Sequence, residues 1–329
     1  MLDSPVNPGA LRRFFQHEDL NFLLTNRIPR IALTRLMGRF SRIRNPWLTR
    51  CSIAVWRLFT ELELSVAKQQ RFESLHACFT RELREGARPV DDDPEAFTSP
   101  SDAIVGACGR VEAGRVYQAK GFPYSIRELF GPSQDTAPFE GGVYVTLRLT
   151  SAMYHRFHAP HDCEVQHVSY LSGDTWNVNP VALARVERLF CRNERAVLRA
   201  RLAAGGQPIA LVPVAAVLVA SIRLHFLDVL LHLRYEGPHE LPCSARFAKG
   251  QEMGWFEHGS TIIVFAPPGF ALAEGIAPGH ALRMGQPLLR MPAVLSDGAS
   301  DGASDDPSDD PSDGPSDEPS NPRHHATAA

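Results

Sequence analysis

Residues 252–265 read EMGWFEHGSTIIVF, and the second half of that stretch decides the fold. Thr261–Phe265 is Thr/Ile/Val/Phe-rich and follows a polar turn, which predicts a strand entered from His258-Gly259-Ser260. Gly259 has no Cβ, so the chain there can adopt a strained backbone and bring an oxygen close to a carbonyl. Working outward, runs of similar character at Ala103–Gly109, Gly142–Leu149, Glu164–Tyr170, Arg195–Leu202 and Ile209–Ile222 predict further strands. Val181–Phe190 predicts a short helix, with Pro180 suited to its first turn. The pattern points to an α+β fold whose core is an antiparallel-rich β sandwich or partly closed barrel.

Composition divides the 329 residues into three regions. Residues 1–88 read as helical and basic, 89–295 as β-rich, and 296–329 as a Ser/Asp/Pro/Gly tail too polar to bury a core. The formal charge of −3 hides this division. Nine acids and one arginine fall in the tail, so residues 1–295 carry 33 bases against 28 acids. Between Leu20 and Thr60 there are eight arginines (27, 30, 35, 39, 42, 44, 50 and 57) and no acid. At helical spacing Leu33, Leu36, Met37, Phe40 and Ile43 share a face, with Arg35, Arg39 and Arg42 opposite. Such a helix either lies on an anionic bilayer, with Trp47, Trp56 and Phe59 at the interface, or packs on the domain as an ordinary amphipathic element. Nucleic acid is not expected, because no aromatic-basic platform accompanies the charge. The start shows no signal-peptide pattern, and the longest apolar run, residues 208–222, is too short to span a bilayer and carries Pro213. Six scattered cysteines without a C-x-x-C pair fit a reducing compartment.

Three places hold chemistry-bearing residues. Asp102 precedes an apolar strand, His155 and His158 stand three apart in YHRFHAP (154–160), and Ser260 follows Gly259. Separately, each has an ordinary reading as a turn, loop or cap. Zinc at His155, His158, His161 and Cys163 is not expected, because the intervening Pro/Asp positions and strand exit oppose convergence of four ligands. Together, an Asp, a His and a Ser can form a chain in which the carboxylate orients the imidazole and the imidazole takes the hydroxyl proton. Beside Gly259, that geometry suits attack on the chain's own peptide bond.

From about Ile31 to Leu289 the sequence resembles the phosphatidylserine decarboxylase proenzymes of the bacterial and mitochondrial type. The motifs are FTRELREGARP (79–89), SPSDA (99–103), QAKG (118–121), YHRFH (154–158), VNP (178–180), LFCRNER (189–195), KGQEMG (249–254) and GST (259–261). The resemblance implies that Asp102, His158 and Ser260 drive self-cleavage at Gly259–Ser260. It implies chains 1–259 and 260–329 held together as a heterodimer, possible further dimerisation, and a covalent pyruvoyl (pyruvate) cofactor made from Ser260 that forms a Schiff base with the substrate amine. His155 is expected near the reacting carboxylate. Decarboxylation of phosphatidylserine to phosphatidylethanolamine and CO2 then follows, at the cytoplasmic face of the cell membrane, with the arginine-rich helices as a docking platform for its anionic surface.

Three features depart from the family pattern. His258 stands where leucine is usual, Ala215 and Ala220 replace glycines, and the acidic tail has no counterpart. Two alternatives stay open on the residues alone. One is a serine hydrolase using the same triad on external esters, which predicts an uncut chain. The other is an inactive membrane-binding homologue, which predicts lipid binding without CO2 release.

Overall fold

The computed structural model describes residues 30–118, 121–132, 134–217, 221–257 and 260–292. His258, Gly259, Ala220, Arg27 and the whole acidic tail lie outside the described residues. Contacts divide the chain at Val294/Leu295, and everything described belongs to the first unit.

The core is an eight-stranded antiparallel sheet. Its order is β12 (Glu240–Phe247), β7 (Cys163–Leu171), β8 (Arg195–Leu202), β9 (Pro208–Ala215), β14 (Ser260–Ala266), β5 (Val143–Leu149), β2 (Ala103–Arg110) and β16 (Ala281–Leu282). One face packs on a four-stranded sheet of β11 (Val229–His232), β10 (Ser221–Leu224), β13 (Glu252–Phe256) and β6 (Arg156–His158). Between them lie Leu149, Leu198, Leu211, Ile262 and Val264 from the large sheet, and Phe157, Ile222, Met253 and Phe256 from the small one. The α+β, antiparallel-rich expectation holds in its sandwich form, and no barrel closes among the described residues.

The other face of the large sheet is covered too. Val197, Val212, Val214, Ile263 and Phe265 pack against α4 (Ile126–Phe130), α5 (Pro180–Leu183), α6 (Leu189–Arg192) and the hairpin of β3 (Arg115–Tyr117) and β4 (Pro123–Ser125). Burial on both faces explains why β14 reads as one continuous apolar run rather than an alternation. A third sheet, β1 (Ala96–Thr98), β17 (Pro287–Arg290) and β15 (Ala271–Leu272), completes the strands.

Two sequence expectations are corrected. The run Ile209–Ile222 is not one strand: β9 ends at Ala215 in the large sheet and β10 begins at Ser221 in the small one. The predicted helix Val181–Phe190 is two short helices, broken where Arg188 takes the left-handed conformation at φ 54°. Gly254 is required for the small sheet, since a Cβ there would stand 2.0 Å from the Arg223 carbonyl oxygen across the β10–β13 pairing.

The N-terminal arm is helical, as α1 (Arg30–Ser41) and α2 (Pro46–Phe59), followed by the short α3 (Leu75–Phe79). Asn45 caps α2, its side-chain oxygen accepting from the Trp47 and Leu48 amides. The arm buries Thr34, Ser41 and Thr49 while Trp47 is 76 %, Leu58 79 % and Phe59 65 % exposed. Of the expected apolar face, Leu36 and Ile43 are exposed and Leu33, Met37 and Phe40 half-buried. Among the described residues no helix is long and apolar enough to cross a membrane.

Candidate active site

Ser260 opens β14 at the centre of the large sheet, paired with Leu149 on one side and Ala215 on the other. Strand alternation places its side chain with Ile262 and Val264, on the face toward the small sheet. It is fully buried, and its Oγ has no hydrogen-bond partner among the described residues. An orphaned buried hydroxyl is costly, about 1–3 kcal/mol, unless it has a task. Ala215 beside it is one of the two alanines noted in the sequence; its methyl packs into the interlayer core.

His158 ends β6, opposite Glu252. Its Nδ1 lies 2.9 Å from the Gly250 carbonyl oxygen and its Nε2 3.0 Å from the Tyr154 hydroxyl. A carbonyl only accepts, so Nδ1 carries the proton and Nε2 keeps its lone pair, accepting from Tyr154. Gly250 is in a left-handed turn at φ 80°, which aims that carbonyl at the ring. Burial lowers the His158 pKa, against the raising effect of the Gly250 hydrogen bond and nearby Glu252. The ring is therefore neutral near pH 7, with a basic nitrogen available. Burial also pushes the Tyr154 phenol far above its usual range, so it stays a donor.

Asp102 is held elsewhere. Arg88 clamps it with a two-pronged contact, Nε to Oδ1 at 2.8 Å and Nη2 to Oδ2 at 2.6 Å, and the Met284 amide donates to Oδ1 at 2.9 Å. Both side chains are more than nine-tenths buried. The expected Asp102–His158 hydrogen bond is not made, because Arg88 fills the carboxylate and Gly250 does the orienting; Asp102 reaches His158 through its charge alone. No hydrogen bond joins Ser260 to either. His158 lines a cavity of about 280 Å3 with Arg84, Arg88, Tyr154, Arg156 and Glu252.

His155 is fully buried, its ring 3.9 Å between centroids from Phe79, which stacks in turn on Trp56 of α2 at 5.7 Å. The stack ties the arm to the site. His161 bonds the Pro94 carbonyl at 3.0 Å, and burial raises the Cys163 thiol to about 12. Among the described residues no three His, Cys, Asp or Glu side chains are grouped as metal ligands would be.

One group was missed by sequence reasoning. Glu194 sits at the head of β8 and is fully buried. It accepts from the Tyr170 hydroxyl at 2.7 Å, and its second oxygen has no partner among the described residues. Burial raises its pKa to about 7, opposed by the Tyr170 hydrogen bond. Its backbone oxygen accepts from Ala215, the β9 neighbour of Ser260, so Glu194, Ala215 and Ser260 fall in one row across the sheet. The LFCRNER motif flagged its neighbourhood but gave it no role.

A neutral buried histidine, a clamped carboxylate and a buried serine at the head of a central strand are the chemistry-bearing groups of this region. Residues 75–290 match the family model described as phosphatidylserine decarboxylase. A protein of Aliivibrio salmonicida named phosphatidylserine decarboxylase proenzyme is 36% identical over 274 residues, covering 79% of this chain and 93% of its own. A protein of the same name from Shewanella frigidimarina is 32% identical over 286 residues, covering 83% of this chain and 99% of its own. One from Pseudomonas fluorescens is 36% identical over 273 residues, with 79% and 93% covered. The chain belongs to the phosphatidylserine decarboxylase family.

Proposed function

We propose that this chain cuts itself between Gly259 and Ser260, converts Ser260 to a pyruvoyl group, and decarboxylates phosphatidylserine to phosphatidylethanolamine and CO2. The observation that carries this reading is Ser260 itself, a hydroxyl with no partner among the described residues, buried inside the sandwich. In the uncut chain this hydroxyl is fully buried, which favours attack on the adjoining peptide bond; any external substrate, the lipid amine included, reaches position 260 only once the cut opens it.

The Ser260 hydroxyl proton passes to His158 Nε2, which releases the Tyr154 hydroxyl to receive it, while Oγ attacks the Gly259 carbonyl. The Gly259–Ser260 peptide becomes an ester. Loss of the Ser260 α-proton then expels the Gly259 carboxylate and leaves dehydroalanine at 260. Water replaces the nitrogen, ammonia leaves, and position 260 becomes the pyruvoyl end of residues 260–329. That chain stays in place because β14 is paired on both sides from its first residue. The site fits such a group: among the described residues nothing hydrogen-bonds the Ser260 side chain, and the flanking Ala215 is small. Once formed, the carbonyl supplies an electron sink for the bond broken as CO2 leaves. His155, buried on Phe79, and His158, once its Nε2 has taken up a proton, are the groups that return a proton to the product.

The arm docks the enzyme on an anionic bilayer at the cytoplasmic face. Trp47, Leu58 and Phe59 together expose apolar surface whose burial stabilises by roughly 1.5–3 kcal/mol per side chain. Intact mass spectrometry tests the core of this reading. Two chains split after Gly259 are expected, the smaller one lighter by one ammonia than a serine-started peptide, while Ser260→Ala remains whole. A single unmodified wild-type chain in folded protein would sink it.

A further inference from the structure

A second cavity, of about 240 Å3, lies between α1 and the β10–β11 hairpin, and the chemistry above makes no use of it. Its lining includes Arg35, Arg39, Arg42, Arg234, His232 and Glu257. Glu257 is buried and already committed: its two oxygens accept from a single Arg42 nitrogen, Nη2, at 2.9 and 2.6 Å, and one of them from the Ser221 hydroxyl at 2.7 Å. Burial opposes its ionisation, yet Ser221, His76 and Arg42 together hold its pKa below the usual carboxylate range. The Arg42 charge is thus cancelled. Arg35, Arg39 and Arg234 are exposed, and among the described residues no acid pairs with any of them. Among the described residues, these three guanidinium groups border one cavity with no acid paired to any of them.

Guanidinium forks match phosphate oxygens in pairs, and α1 supplies Arg35 and Arg39 from successive turns. Leu230 and Leu233 line the cavity together with these arginines, and the same helical arm exposes Leu36 and Ile43, so apolar surface accompanies the charge. That combination fits a phosphate attached to hydrocarbon. We propose that this cavity binds the phosphodiester headgroup of an anionic phospholipid, as a site separate from the His158 cavity. It rests on the docking reading above and sharpens it: the arm holds a headgroup in a built pocket, instead of attracting the bilayer by diffuse charge.

The test uses the full chain and compares two pairs of substitutions that remove equal charge. Arg39→Gln/Arg234→Gln empties the cavity of two guanidinium groups. Arg50→Gln/Arg57→Gln removes two exposed arginines of α2 that do not line it. Binding to vesicles of phosphatidylcholine with 30% phosphatidylglycerol is read by co-sedimentation. The cavity pair is expected to weaken binding on the order of 30-fold and the α2 pair by about threefold. Equal losses would overturn the inference while leaving diffuse docking intact, and no binding by the wild type would overturn both. Millimolar glycerophosphoglycerol should compete with vesicles for the wild type more strongly than inorganic phosphate at equal concentration. Equal competition by inorganic phosphate would reassign the pocket to free phosphate and refute the lipid assignment. Self-cleavage, read on a gel, reports whether each variant is folded, and its failure in the wild type alone would touch the proposed activity without touching the pocket.

Discussion

The two basic cavities of this protein differ in how their arginines are satisfied. In the His158 cavity, Arg88 is clamped to Asp102 and Arg156 to Glu252 at 2.8 Å, with Arg156 also donating to the Thr80 carbonyl. In the arm cavity, among the described residues, only Arg42 is paired with an acid. Arginines whose donors are taken up by carboxylates orient a scaffold, whereas arginines left open at a cavity wall have donors to spare for the proposed ligand. The first set should therefore govern stability and self-cleavage, and the second set lipid binding.

The sharpest way to break that division is at Arg88. Removing one partner of a buried ion pair leaves the other charge stranded, which costs about 3–5 kcal/mol. Arg88→Ala should lower stability by that order in urea titration and abolish self-cleavage, since the Asp102 carboxylate is then free to collapse on its surroundings. Arg88→Met/Asp102→Leu should regain most of the stability and none of the cleavage. If the double variant cleaves, the pair is scaffold only and Asp102 has no part in the reaction.

Glu194 offers the next effect in size and extends the comparison to a carboxylate with no arginine at all. Its folded pKa, about 7, is raised from 4.5 by burial. A carboxyl with a raised folded pKa binds its proton more tightly when folded, so stability falls as pH climbs from about 4.5 to 7 and is level above. Over that window the loss is on the order of 3 kcal/mol. Glu194→Gln keeps the acceptor for Tyr170 and never ionises. The variant should match the wild type near pH 4.5 and exceed it above pH 7 in denaturant midpoint. Parallel pH curves for the two proteins would show that Glu194 is ionised in the fold at no cost.

These two residues also mark what a sequence can show. The strands were legible because Val, Ile and Thr runs bounded by turn residues report a pleated, buried surface, and Ser260 was legible because Gly259 precedes it and a strand follows. The break between β9 and β10 was not, because residues 208–222 are apolar on both faces and carry no alternation to betray a change of sheet. Arg88 is 14 residues from Asp102, and only the tertiary fold makes them partners. The acceptor that fixes the His158 tautomer is a backbone carbonyl, and a carbonyl has no letter in a sequence. For Glu194, burial alone creates the property, and burial is decided by strands that lie far apart in the chain.

The smallest expected effect tests whether the His158 cavity is poised as its hydrogen bonds imply. Tyr154 donates to Nε2, the nitrogen that must take the Ser260 proton, and a donor there favours the neutral ring. With burial lowering the pKa as well, wild-type self-cleavage should rise with pH along a limb below 6.5 and then level off. Tyr154→Phe removes the donor, worth about 1 kcal/mol, so the limb should move up by roughly 0.7 pH unit. The plateau should change little or rise, because the base no longer surrenders a hydrogen bond before it acts. A lowered plateau with an unmoved limb would instead make the Tyr154 hydroxyl part of the proton path between Ser260 and His158. It would then stand with Arg88 among the groups that cleavage needs, and the neutral imidazole would owe its state to burial and the Gly250 carbonyl alone.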